Sequence, residues 1–116
     1  MTNTYFEAWN NRDLKTLSDI FAENITLRDW EQTYNGKENV LKANQNIFDA
    51  HKNIELTLIN QATKYDAEQE KYIHFCELLI MLDAKIIKVV DIITVENNLI
   101  TRSEEHTSEL QSRFGI

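Results

Sequence analysis

The stretch YIHFCELLIMLDAKIIKVVDIITVE, residues 72–96, contains two long runs of apolar and β-branched residues on either side of the short sequence LDAK. Residues of this kind favour β-strands, and a short break between two such runs is typical of a β-hairpin. We therefore predict two antiparallel strands joined by a turn centred on Asp83 and Ala84. The rest of the fold is predicted around this hairpin.

The predicted turn also determines which side chains share a face of the sheet. It places Asp91 opposite Cys76, and directly opposed residues point to the same side. A register shifted by one residue would instead bring Asp91 opposite Glu77. In the first register, one face carries His74, Cys76, Leu78, Ile87, Val89, Asp91 and Ile93. The other face carries Ile73, Phe75, Glu77, Leu79, Met81, Lys88, Val90 and Ile92.

Helical spacing of apolar residues precedes the strands in three segments, TYFEAWN (4–10), NNRDLKTLSDIFAEN (10–24) and GKENVLKANQNIFDAH (36–51). A short strand ending at Asp29 is predicted between the second and third helices, followed by a turn at Asn35 and Gly36. After the third helix come a strand at 54–58, a polar turn, the hairpin, and a last strand beginning with LIT at 99–101. Helices followed by an antiparallel meander predict an α+β fold, with the helices on one face of a sheet.

The second face of the predicted sheet is also too apolar to be exposed to water. Helices on one side of a sheet leave the other side uncovered, and an apolar surface of that size usually marks an interface between proteins. We therefore predict a homodimer formed through the outer face of the sheet.

Composition excludes several classes of protein. A chain of 116 residues suits one domain, and its formal net charge of −7 disfavours nucleic acid as a partner. No apolar run approaches the roughly 20 residues of a membrane span, and the N-terminal residues show no signal peptide, so cytoplasmic location is expected. A single cysteine, Cys76, and separate histidines at His51 and His74 give no pattern for a metal site, and no cofactor is expected.

The segment RSEEHTSELQSRFGI, residues 102–116, lacks both strand alternation and a sustained apolar face. Residues 102–112, RSEEHTSELQS, resemble the codon-by-codon translation of a common sequencing adapter. We therefore predict a native domain over residues 1–101 and a non-native tail over 102–116, with the native strand after Thr101 missing. The alternative is a natural charged tail.

Three segments together resemble a known family: TYFEAWNNRDLKTLSDIFAENITLRDW (4–30), GKENVLKANQNIF (36–48) and KVVDIITVENNLIT (88–101). They are similar to the SnoaL-like branch of the nuclear transport factor 2-like superfamily, which includes ketosteroid isomerases and polyketide cyclases. The resemblance implies a cone-shaped barrel of the cystatin-like kind, in which a curved antiparallel sheet wraps around helices and encloses an apolar pocket.

The resemblance also implies catalytic roles for three residues. Matched to the isomerases, Tyr5 and a protonated Asp91 would donate hydrogen bonds to a dienolate oxygen, while Asp29 would shuttle the proton. Matched to the cyclases, Asp91 would act as a general acid or base with His74 as its helper. The isomerases usually have proline where this chain has Trp30, which would narrow the pocket. The expected pocket-lining residues are Trp9, Phe21, Trp30, Phe48, His74, Cys76, Val89 and Ile93.

Each candidate residue also has a purely structural interpretation. Asp91 could be a surface carboxylate paired with a lysine, and Asp29 could cap the loop that follows it. Tyr5 could be a core aromatic of its helix, and His74 could be a hydrogen-bonded core histidine.

Two functions follow from these alternatives. The first is an enzyme that performs acid/base chemistry beside a carbonyl of a small apolar ligand, as an isomerase or a cyclase does. The second is a non-catalytic ligand-binding or dimerisation module with the same fold. The first function requires Tyr5, Asp29 and Asp91 to converge on one cavity.

Overall fold

The computed structural model describes residues 1–29 and 31–107. The helices of this part of the chain are α1 (Thr2–Asn10), α2 (Leu14–Ile20) and α3 (Lys37–Ala50). Its strands are β1 (Phe21–Arg28), β2 (Thr33–Asn35), β3 (Ile54–Asp66), β4 (Lys71–Leu82), β5 (Lys85–Glu96) and β6 (Leu99–Thr107). Among these residues, no helix has the length and apolar character needed to span a membrane.

The described strands form one sheet in the order β2-β1-β6-β5-β4-β3. Neighbouring strands are antiparallel except β1 and β6, which run parallel. The side chains that fill the core between helices and sheet come from both layers. Those that are almost completely buried include Leu17, Phe21, Ile25, Leu78, Ile93 and Ile100. The predicted α+β class is confirmed, and the parallel pair corrects the prediction of a purely antiparallel meander.

The predicted hairpin register is confirmed along the whole of β4 and β5. Asp91 lies opposite Cys76, and Val89 lies opposite Leu78. A hydrogen bond stabilises the turn at Asp83, whose backbone N–H donates to the carbonyl of Asn53 over 2.7 Å. Asp83 also has a φ of 55°, a left-handed conformation that an aspartate tolerates in a tight turn. Asp91 therefore points to the helix-covered face and is buried.

Two predicted element boundaries are wrong. The second helix ends at Ile20 rather than near Asn24, because Phe21 is already extended and pairs with Ile100 of β6. The strand predicted at 54–58 continues to Asp66, with an irregularity between Leu58 and Asn60. In both places, pairing with a distant strand overrides the local pattern.

Strand β6 includes the first part of the segment that we expect to be adapter-derived. The pattern of residues 102–107 does not predict a strand, yet they pair with β5 on one side and, over residues 102–104, with β1 on the other. Ser103 is buried between these neighbours. The adapter origin of residues 102–112 stays a prediction, and residues 108–116 lie outside the described part of the chain.

The outer face of the sheet is apolar and open to solvent. Phe75, Leu79 and Ile86 are 40%, 37% and 61% exposed on this face. Polar groups accompany them, including an ion pair of 3.4 Å between Lys88 Nζ and Glu77 Oε1. This is the surface for which we predict a second subunit.

Candidate functional site

A cavity of about 340 Å³ lies between the helices and the inner face of the sheet. Most of its wall is apolar, with side chains that include Leu27, Ala43, Ile47, Leu56, Ile80 and Leu82. Polar side chains contribute the smaller part of the wall surface, among them Tyr5, Asp29, Tyr34, Asn44, Asp91 and Glu105. An apolar cavity with a few polar groups is typical of a small-molecule site.

Asp91 is a buried carboxyl in the wall of this cavity. It is 5% exposed, and its Oδ1 has no hydrogen-bond partner among the described residues. Burial raises the pKa of Asp91 well above its ordinary value, and the charge of Glu105, directly opposite on β6, raises it further. A carboxyl in this environment favours the protonated form, in which it can donate a hydrogen bond into the cavity.

Tyr5 reaches the same cavity from α1. Its ring packs against Phe6 and Phe21 with centroid distances of 5.3 and 5.8 Å, so it is also a core aromatic. Burial and the charge of Asp91 raise the pKa of the Tyr5 hydroxyl, although a hydrogen bond with Ser103 opposes the shift. The phenol therefore stays protonated and retains a proton to donate.

Asp29 directly follows β1. Its position is compatible both with a loop-capping role and with a catalytic role at the cavity. Its Oδ1 accepts hydrogen bonds from the backbone N–H groups of Glu31 and Gln32, each over 2.8 Å, which is a turn-capping role. Asp29 also lines the cavity. Its charge and, more strongly, burial raise the pKa of the Glu105 carboxyl to about 7.

The expected pocket-lining residues divide into several groups. Trp9 lines the cavity, whereas Trp30 lies outside the described residues. A second group does not line the cavity and instead fills the core behind its wall, each member at most 3% exposed: Phe21, Phe48, Cys76, Val89 and Ile93. Large apolar residues at these positions are enclosed by helices and sheet together, which leaves them no surface on the cavity.

His74 also lies away from the cavity wall. It is half-buried towards the end of the sheet where β3 and β4 meet in a turn, and its Nδ1 is 2.9 Å from Thr63 Oγ1. Its ring stacks on Tyr72 with the centroids 6.2 Å apart. Partial burial lowers the pKa of His74, which favours the neutral imidazole. This placement matches the structural interpretation of His74 better than that of a catalytic helper.

Further polar residues of the wall were not singled out by the sequence pattern, among them Asn44, Glu105 and His51. Asn44 is one helical turn after Val40 and one turn before Phe48, so its position on an apolar helix face was a usable signal. Glu105 belongs to the segment set aside as a tail. His51 ends the third helical segment and contacts Asp83 Oδ2 through Nδ1 at 3.0 Å.

Metal ligands are not assembled in the described part of the chain. Residues 1–29 and 31–107 contain no group of three or more His, Cys, Asp or Glu side chains that could hold a metal ion. Asp29, Asp91 and Glu105 therefore share a cavity without forming a metal-binding cluster.

The sequence model described as the SnoaL-like domain matches residues 2–103. This chain belongs to the SnoaL-like domain family. The match covers the helical layer, Asp29 at the end of β1, and strand β5 with Asp91. No protein of curated function matches this SnoaL-like chain.

Solved structures similar to this SnoaL-like chain have the same fold at low sequence identity. A cystatin-like protein from Caulobacter vibrioides has a TM-score of 0.77 and 10% identity, over 98% of this chain and 89% of that one. A candidate ketosteroid isomerase from Kribbella flavida has a TM-score of 0.74 and 16% identity, over 93% and 75% of the two chains. A candidate polyketide cyclase from Sinorhizobium meliloti has a TM-score of 0.72 and 18% identity, over 90% and 92%. At these identities the similarity establishes the fold alone.

Proposed function

We propose that this SnoaL-like protein is an enzyme that performs acid/base chemistry next to the carbonyl of a small apolar ligand, of the isomerase or cyclase type. The observation that carries the proposal is Asp91, a buried carboxyl with an unpartnered Oδ1 in a cavity that Tyr5 and Asp29 also line. A buried polar atom without a partner is costly, and a ligand oxygen would supply the missing hydrogen bond. The isomerase and cyclase names of two similar structures support the same class of reaction.

The proposed reaction starts with the ligand carbonyl held by Asp91 and Tyr5. Asp29 takes a proton from the carbon next to the carbonyl, and the electron pair of the broken C–H bond moves towards the carbonyl oxygen. The hydrogen bonds from Asp91 and Tyr5 then strengthen as charge develops on that oxygen. In an isomerisation, Asp29 returns the proton to a different carbon. In a cyclisation, the enolate carbon attacks a second carbonyl, the π bond of that carbonyl breaks, and its oxygen takes up the proton from Asp29.

The protonation states of Asp91 and Tyr5 suit these roles. Burial favours a neutral Asp91 and a neutral Tyr5, so both are donors near neutral pH. The two turn hydrogen bonds of Asp29 use Oδ1, and in the proposed reaction Oδ2 accepts the proton. A base at the end of a strand and next to a loop is able to reach more than one carbon of a ligand.

The second candidate is a non-catalytic binding module with the same cavity. The turn-capping hydrogen bonds of Asp29 favour it, because they give Asp29 a structural role that needs no chemistry. Asp91 would then orient a ligand by one hydrogen bond in an apolar pocket.

Exchange of deuterium into α-tetralone, followed by proton NMR, distinguishes the two functions. We expect the protein to accelerate exchange at the carbon next to the ketone, and the variants Asp29→Asn, Asp91→Ala and Tyr5→Phe to slow it, by about a hundredfold or more for Asp29→Asn. Asp19→Asn, which changes an exposed carboxylate on α2, is the matched control and should retain the full rate. Binding of α-tetralone without any exchange would support the binding module and contradict the enzyme.

We further propose that a second copy of the chain covers the outer face of the sheet. The exposed side chains of Phe75, Leu79 and Ile86 support this, because a monomer gains nothing from displaying them to water. A like-with-like contact between two sheets would pair these residues about a two-fold axis.

A further inference from the structure

Asn44 is a buried amide in the wall of the cavity that the proposed reaction does not use. It lies on α3 and is 3% exposed. Burying an amide costs free energy unless its donors and acceptors find partners. The hydrogen bonds of Asn44 therefore indicate whether it only supports the structure or also faces a ligand.

Two hydrogen bonds fix the orientation of this amide. The indole Nε1 of Trp9 donates to Asn44 Oδ1 over 3.1 Å, and Asn44 Nδ2 donates to the carbonyl of Val40 over 2.9 Å. An indole nitrogen is only a donor and a carbonyl oxygen is only an acceptor. Rotating the amide by half a turn would set donor against donor and acceptor against acceptor, so only one orientation satisfies both partners.

The side-chain NH₂ group of Asn44 has one hydrogen that is not used in a hydrogen bond within the described residues. An asparagine NH₂ group carries two hydrogens, and the bond to Val40 uses one. Within residues 1–29 and 31–107, Asn44 makes no other hydrogen bond from Nδ2, and its side chain borders the cavity. The second N–H is thus a donor without a partner among the described residues, on a side chain that borders the cavity.

We propose that Asn44 is a second ligand-binding group, which donates a hydrogen bond to an acceptor oxygen separate from the carbonyl held by Asp91 and Tyr5. This inference rests on the proposed function for the identity of that first oxygen. Asp91 lies on β5 in the sheet and Asn44 lies on α3 in the helical layer, so the two groups approach a ligand from different walls. The ligand class is then an apolar molecule with two oxygen functions, such as a diketone or a keto ester, rather than a monoketone.

The test requires variants that remove the donor without leaving a new unpaired group. Asn44→Leu alone would orphan the Trp9 indole, so we place it in a Trp9→Phe background, where both partners become apolar. Trp9→Phe alone removes the donor to Asn44 Oδ1 but keeps the bond from Nδ2 to the Val40 carbonyl, which still fixes the orientation of the amide, and it is the reference protein. Asn46→Leu in the same background is the matched control, because Asn46 is an exposed amide of α3 that also borders the cavity.

Two ligands of equal shape measure the contribution of the second oxygen. They are derivatives of α-tetralone that carry either an acetyl or an isopropenyl group on the ring remote from the ketone, so that a C=CH₂ group replaces the acceptor C=O in the second compound. In the Trp9→Phe protein we expect the acetyl compound to bind about fivefold to tenfold more tightly, as one hydrogen bond provides. We expect Asn44→Leu to abolish this preference and Asn46→Leu to retain it, with dissociation constants obtained by NMR titration.

The outcomes separate this inference from the proposed function. Equal affinities for the two compounds in the Trp9→Phe protein, or a preference that survives Asn44→Leu, would overturn the role of Asn44 even where deuterium exchange into α-tetralone is intact. A preference lost only in Asn46→Leu would overturn it as well. Loss of exchange without loss of the acetyl preference would instead contradict the catalytic proposal and leave Asn44 as a binding group.

Discussion

Asp91 illustrates how one strand position converts an ordinary carboxyl into a hydrogen-bond donor. The residues beside it, Val90 and Ile92, point to the outer face, while Asp91 itself points into the helix-covered interior. Water cannot stabilise a charge there as it does at the surface. The loss of hydration that makes this aspartate costly to the fold also keeps its carboxyl protonated, so that it can donate a hydrogen bond near neutral pH.

We expect the carboxyl carbon of Asp91 to titrate well above the ordinary aspartate value of about 4 in a carbon-13 NMR titration. Desolvation is the main cause, and the charge of Glu105 is the second. Glu105→Gln should therefore move the Asp91 midpoint down while leaving it raised. An Asp91 midpoint near the ordinary aspartate value would contradict the burial argument.

Glu105 gives the folded protein a predicted dependence of stability on pH. Its pKa is about 7 in the folded state against an ordinary value of 4.5, so the folded state binds more protons than the unfolded state between these values. The free energy of unfolding therefore falls as pH rises from about 4.5 to about 7, by about 3 kcal/mol, and stays low above that range. Asp91 contributes in the same direction.

Urea unfolding of the protein and of Glu105→Gln across this pH range measures the effect. The variant should lose the part of the decline that Glu105 causes, while the part due to Asp91 remains, and it should be more stable than the original chain above pH 7. A decline of equal size in both proteins would assign the pH dependence to other groups.

Helix α3 is held at its C-terminal end by a side chain from another part of the chain. The Arg12 guanidinium donates to the carbonyl of Phe48 and to those of His51 and Lys52, at distances between 2.5 and 3.0 Å. The last carbonyls of a helix have no partner within it, and a cation is favourable at that end. The connection also fixes α3, and with it Asn44, relative to α1.

Replacing Arg12 with alanine should lower the free energy of unfolding by about 1–2 kcal/mol, because three charge-assisted hydrogen bonds at a partly exposed site are lost. Chemical denaturation monitored by circular dichroism measures the loss. Lys15→Ala, an exposed lysine on α2, is the control and should be near neutral. Equal stability of the two variants would show that solvent replaces Arg12 at the helix end.

The elements that could be predicted from sequence are those with a strong local signal. The sequence LDAK between two apolar runs determines the hairpin register, so the face of Asp91 is predictable. The end of α2 is not, because Phe21 is extended only through its pairing with Ile100, far away in sequence. Asn44 could have been identified from its place between Val40 and Phe48, whereas the role of Glu105 depends on a strand that has no recognisable pattern.

At the scale of the whole molecule, the two faces of the sheet differ in what covers them. Helices cover the inner face, and we expect a second copy to cover the outer one. Phe75→Lys should then place a charge at the centre of the contact and shift a dimer to monomer by sedimentation velocity. Tyr65→Lys is the control, because Tyr65 pairs with Tyr72 and lies on the opposite face. A monomeric original protein, or a dimer unaffected by Phe75→Lys, would contradict this interface.

The adapter origin that we expect for residues 102–112 is testable at the level of the gene. If residues 102–112 derive from an adapter, amplification of the gene from source DNA with a primer in the upstream flank should give a different sequence after Thr101. Since β6 occupies the place between β5 and β1, we expect the native sequence to continue as a strand with apolar residues towards the cavity in place of Glu105. Recovery of the codons for RSEEHTSELQS in source DNA would contradict the adapter origin.

The position of β6 has a consequence for how the protein acquires its structure during synthesis. Strand β1 is synthesised early, but β6, its parallel neighbour in the sheet, is synthesised after every other described strand. Until then β1 can pair only with the three residues of β2, and the hydrogen-bonding edges of β1 and β5 stay open. Such late, long-range closure is slow, and open edges invite pairing between chains. We therefore expect a nascent chain of this protein to need a chaperone that shields the open edges of β1 and β5 until β6 has left the ribosome.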